Sequence, residues 1–85
     1  MKRYLQLNEL LCLRHLADHG PCTLAELFAA SKQFPTLATS MIEDGLTYGY
    51  TTDESPLYRI AITDEGGAIV ATTRPFMDAP QEPTP

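Results

Sequence analysis

Four residues near the start of the chain have the types and spacing to hold a metal ion: Cys12, His15, His19 and Cys22, in the pattern C-x2-H-x3-H-x2-C. Thiolate sulfur and imidazole nitrogen are the usual protein ligands of zinc. At about 100° per residue the first three lie within about 60° of one helical face, and Cys22 follows the helix end. Three ligands on one helix cannot surround one ion, however, so a second copy would have to complete the coordination. Free cysteine is usually a small buried hydrophobe. These four therefore stand as candidate ligands, with no metal expected. Cys12, His15 or His19, and Asp18 also suit nucleophilic catalysis in type. A domain this small supplies neither an oxyanion hole nor a concave pocket, so no enzymatic activity is expected. Gly66-Gly67 is not followed by Lys-Ser or Lys-Thr, the mark of a phosphate loop, and no cofactor is implied. Tyr48, Tyr50 and Tyr58 are expected to pair across strands, with a ligand pocket or partner surface as the alternative.

The elements that must position these residues fit in one small domain. The chain has 85 residues, 44% hydrophobic and 20% charged, which is globular composition. A domain of this size buries only about 60% of its extended surface, so a partner subunit would help it. Six bases against eleven acids give a net charge of −5, which disfavours a strongly basic nucleic-acid module. No apolar run approaches the length of a membrane span. Met1-Lys2-Arg3-Tyr4 does not open a secretory signal, and two cysteines without a framework suit a reducing compartment. A cytoplasmic protein is expected. Residues 75–85 hold four of the seven prolines and two acids without a base; they are expected to form a disordered tail behind a domain spanning 1–74. That domain still carries six bases and nine acids.

The periodicity predicts a first helix from about Asn8, its N-cap, to His19, stopped by Gly20-Pro21. Leu10, Leu13, Leu16 and Ala17 form its apolar stripe, with Leu7 and Leu11 left off it. Thr23-Leu24-Ala25-Glu26 is a capping box that opens a short second helix, with Leu24, Leu27 and Phe28 toward the core. Pro35 suits the first turn of a third helix with a buried stripe of Leu37, Ala38, Met41 and Ile42, ended by Asp44-Gly45. The period then falls to two. Leu46, Tyr48 and Tyr50 alternate with Thr47, Gly49 and Thr51, and Tyr58, Ile60 and Ile62 resume after the turn at Asp53-Glu54-Ser55-Pro56, which predicts a β-hairpin over 46–62. Thr63-Asp64-Glu65 predicts the N-terminus of a last helix through Ala68, Ile69, Val70 and Ala71.

Helix, short helix, helix, hairpin and helix in that order resemble the winged helix-turn-helix superfamily, and in particular small regulators of the MarR and PadR kind. The likeness is carried by Thr23-Leu24-Ala25-Glu26-Leu27, by Met41-Ile42-Glu43-Asp44-Gly45-Leu46, and by Tyr58-Arg59-Ile60-Ala61-Ile62-Thr63-Asp64-Glu65-Gly66. The resemblance implies an α+β, mostly α fold: a three-helix bundle, a two-stranded wing and a C-terminal helix. It also implies a homodimeric DNA-binding transcriptional regulator with the third helix in the major groove of double-stranded DNA. Carried over residue by residue, the contact set is Lys32, Gln33, Thr36, Thr39 and Ser40, with Arg59 at the phosphates. Gln pairs with adenine, Lys with guanine, and hydroxyls with phosphates or bases. These residues equally suit the solvated face of any amphipathic helix.

The wing departs from the DNA-binding pattern. Its tip carries Asp53 and Glu54 where a phosphate-contacting wing carries cations. With only Lys2, Arg3, Lys32 and Arg59 available, one copy should bind DNA weakly and a dimer is needed. The acidic tip motivates an alternative, a winged helix that docks on a basic protein partner or imitates DNA.

Overall fold

The computed structural model describes residues 5–54 and 57–77, the side chains of 76 and 77 excepted. Its first helix, α1 (Leu7–His19), is capped by Gln6 rather than by Asn8. The Gln6 N–H donates to Glu9 Oε1 at 2.8 Å, which gives a buried carboxylate a partner. Glu9, Cys12, Leu13 and Leu16 are buried, whereas Leu10 is half-buried and Ala17 exposed. The expected stripe is thus rotated about the helix axis: six leucines in the first sixteen residues leave hydrophobicity alone undecided, and the slim Cys12 lets α3 come close. Leu7 and Leu11, left off the expected stripe, are exposed. Gly20, at φ 78°, ends the helix with its N–H on the Leu16 carbonyl.

Cys22 and Thr23 form a two-residue strand, β1 (Cys22–Thr23), which is too short to show a period in sequence. Thr23 then caps α2 (Leu24–Ala30) with both bonds of the expected box: Glu26 N–H to Thr23 Oγ1 at 3.2 Å and Thr23 N–H to Glu26 Oε1 at 2.8 Å. Only Leu27 of the expected core residues is buried. Leu24 and Phe28 stay 40% and 56% exposed, because two turns of helix give a single residue full access to the core.

The third helix, α3 (Phe34–Ser40), is shorter than expected. After Ser40 the bonds tighten to i→i+3, from Ile42 to Thr39, Glu43 to Ser40, Asp44 to Met41 and Gly45 to Ile42. Gly45 at φ 76° and a Leu46 N–H to Met41 carbonyl bond close the turn in Schellman fashion. The apolar spacing through Ile42 is the same in both kinds of turn, so sequence could not tell them apart.

The strands β2 (Thr47–Tyr50) and β3 (Arg59–Ile62) pair antiparallel, Thr47 opposite Ile62 and Tyr50 opposite Arg59. β1 joins the other edge of β3, Cys22 opposite Ile60, so the sheet has three strands in the order β1-β3-β2 rather than two. The phase of β2 is also reversed. Thr47 is 2% exposed, and its hydroxyl donates to the Ala38 carbonyl at 2.7 Å, answering a terminal carbonyl of α3; Tyr48 points out at 47%. A buried tyrosine would have needed a partner for its phenol there.

The last helix, α4 (Asp64–Met77), begins at Thr63 as expected and runs through Pro75, three residues past the boundary set at Arg74; residues 78–85 of the expected tail lie outside the described residues. It packs on α1, where Arg74 meets Asp18 Oδ1 at 2.7 Å and Arg14 lies 3.7 Å from the same carboxylate. The core between the helices and the sheet is Cys12, Leu13, Leu16, Cys22, Leu27, Ala38, Met41, Leu46, Ile60 and Val70.

The paired glycines of α4 differ in surroundings. A Cβ on Gly66 would overlap the Leu46 carbonyl oxygen, whereas one on Gly67 would meet nothing within 4 Å. Gly66→Ala should therefore lower unfolding stability by about 1–3 kcal/mol, and Gly67→Ala should raise it by about 0.5–1 kcal/mol through helix propensity. Urea midpoints moving the same way in both variants would contradict this packing.

Candidate functional site

The outer side of the α2–α3 unit is built by what the inner side buries. Ala38 and Met41 are buried and Phe34 and Leu37 pack against the core, which leaves Lys32, Gln33, Thr36, Thr39 and Ser40 exposed along the opposite side. Spacings of three and four place them in one strip. Lys32 stands in the turn between the helices and Gln33 at the N-cap of α3. The Thr39 hydroxyl donates back to the Pro35 carbonyl at 2.7 Å, so outward it offers a methyl group and an accepting oxygen. Gln33 is not loose: its Oε1 accepts from Asn8 Nδ2 at 2.9 Å across the gap to α1. Sequence reading assigned Asn8 to a cap and missed this contact, for which a separation of 25 positions gave no signal.

Arg59 lies apart from the strip in the fold. It is half-buried on β3, opposite Thr23 on one side and Tyr50 on the other. The Glu26 carboxyl is held below its usual range first by the Thr23 backbone and side-chain bonds, then by the charge of Arg59. Asp53 and Glu54 are exposed at the wing, as its tip requires.

The candidate metal set is not brought together. Cys12 is fully buried with its thiol toward the Phe34 carbonyl at 3.7 Å, and Cys22 is buried with its thiol toward the Gly20 carbonyl. The imidazoles are less buried: His15 and His19 meet in a tilted pair at 4.3 Å, and His15 lies 5.7 Å from the Phe34 ring. Among the described residues, no three Cys, His, Asp or Glu side chains converge on one point. Burial above all, with lesser contributions from Cys22 and Glu9, pushes the Cys12 thiol up to about 12, so it is protonated, unlike a ligand thiolate or a nucleophile. The tyrosines divide as well. Tyr48 and Tyr50 stack at 5.8 Å on the outer sheet face, while the Tyr58 ring covers Gly49 on the inner one.

Four helices and a three-stranded antiparallel sheet in this order make a winged helix-turn-helix. The chain is similar in structure to Bordetella bronchiseptica BpsR, whose DNA binding is regulated by 6-hydroxynicotinic acid. The TM-score is 0.76 at 19% sequence identity, over 87% of this chain and 56% of that one. The likeness is one of fold. No protein-family model matches the chain, and no curated protein matches it. Among the described residues, no helix is long and apolar enough to cross a membrane.

Burial, then the charge of His19, lowers the pKa of His15 from 6.5, against a smaller opposing pull from Asp18. The unfolded chain therefore takes up this proton first, and stability falls as the pH drops from about 6.5 toward the folded value. Asp18 and Glu26, both held low, contribute stability above about pH 4 and lose it below, in a separate window. His15→Gln should flatten the change in urea midpoint between pH 7.5 and 5.5; an unchanged slope in that variant would discount the His15 environment.

Proposed function

We propose that the chain is a cytoplasmic DNA-binding transcriptional regulator of the MarR or PadR kind, acting by binding rather than by catalysis, with α3 laid in the major groove. The observation that carries this reading is the exposed strip of Lys32, Gln33, Thr36 and Ser40 along the turn and second helix of a helix-turn-helix whose opposite side packs into the core. Gln33, Thr36 and Ser40 approach base edges, and Lys32 and Arg59 meet phosphates. The likeness in fold to a protein whose DNA binding is regulated lends support.

The working unit in this reading is a homodimer. One copy presents few cations against a net charge of −5, and Leu7 and Leu11 expose an apolar edge of α1 at 65% and 37%. Two copies double the phosphate contacts and give two half-sites. The acidic wing tip acts in the opposite sense, repelling the phosphates nearest to it and leaving base recognition to α3.

Mobility shifts with duplex DNA at low salt test the reading. Lys32→Ala should weaken binding, and the slope of log K against log salt should become shallower by about 2 for a dimer or about 1 for a single copy. Absence of binding to any duplex defeats the proposal. In the same assay Asp53→Lys with Glu54→Lys should tighten binding at low salt and steepen the salt dependence; no change would show that the wing tip stays clear of the duplex.

A further inference from the structure

The contact between Asn8 and Gln33 has an orientation, and burial dictates it. Asn8 Nδ2 donates to Gln33 Oε1 at 2.9 Å, while Asn8 Oδ1 is enclosed and accepts no hydrogen bond among the described residues. Inverting both amides would keep the bond between them but would place the Asn8 NH₂ in that enclosure, where two donors instead of one acceptor would go unanswered. Inverting Gln33 alone would set N–H against N–H. The enclosure therefore orients Asn8, and Asn8 orients Gln33.

A glutamine held in this way has its carbonyl turned toward α1 and only its NH₂ available outward. The familiar pairing of glutamine with adenine needs both ends, the carbonyl accepting from N6 and the NH₂ donating to N7. A donor-only amide instead suits an edge made of acceptors, and guanine presents two side by side, N7 and O6. We infer that Asn8 is a specificity-determining positioning residue, which makes Gln33 read guanine rather than adenine. The inference rests on the proposed DNA-binding role of α3 and deepens it, replacing the adenine preference expected of an unrestrained glutamine.

Selection from a random duplex library at low salt, followed by sequencing, tests it with the full chain. The wild type should enrich guanine at one position in each half-site, by roughly tenfold over adenine. Gln33→Ala should lose the preference there and nowhere else. Asn8→Ala should admit adenine at the same position, because Gln33 can then turn. Asn8→Asp is the sharper variant, similar in size and able only to accept: the Gln33 NH₂ turns inward to the carboxylate, its carbonyl faces out, and the preference moves to cytosine, whose N4 donates. It also keeps the test available if Asn8→Ala proves unfolded by circular dichroism. A wild type selecting adenine at the Gln33-dependent position overturns the inference. Profiles unchanged in both Asn8 variants, or in Gln33→Ala, do the same while leaving DNA binding by α3 intact. A wild type that retains no duplex fails at the earlier step and removes the DNA-binding reading itself.

Discussion

The Thr63 hydroxyl donates to the Gly45 carbonyl at 2.6 Å and accepts the Gly66 N–H at 3.1 Å, while its own N–H reaches the Leu46 carbonyl at 3.0 Å. One residue thereby joins the end of β3, the start of α4 and the turn that leads out of α3. The junction works only because glycines flank it. Gly45 adopts φ 76°, which a side chain resists, and Gly66 leaves room for the Leu46 carbonyl. The sheet and the last helix are consequently fixed with respect to the exit of α3, and the outward strip of α3 is fixed with them. Thr47 adds a second tie, from the base of the wing to the Ala38 carbonyl.

This arrangement explains why so short a helix can be a rigid platform. Seven residues of α-helix span only about 10 Å, too few to hold their own shape in water. The conformation of α3 comes from its surroundings: Ala38 and Met41 in the core, the tightened turn behind it, and the Asn8–Gln33 bond in front. On the proposed reading, such a helix covers about three base-pair steps.

Local chemistry was legible in the sequence at most helix ends, the N-cap of α1 at Gln6 rather than Asn8 being the exception. The Thr23–Glu26 box, the stop at Gly20 and the cap at Thr63 are each complete within three or four residues, and each stands as read. The order of elements followed from those stops and starts. Choices settled between distant segments were not legible. Which face of α1 turns inward depends on Cys12 meeting the Phe34 carbonyl of α3, and the phase of β2 depends on a carbonyl nine residues back that needs Thr47 more than the core needs Tyr48. The outward side of α3 could be read because its complement is apolar. The Asn8 contact and the separation of thiols from imidazoles could not, since both depend on how α1 is rotated against α3.

That separation gives the chain a property of its own. Cys12 and Cys22 are both enclosed, and the Cys12 thiol keeps its proton far above neutrality. A thiol in that state is nearly inert to alkylating and oxidising agents. Modification at either sulfur therefore has to wait for the core to open locally, so the two cysteines report excursions out of the native state.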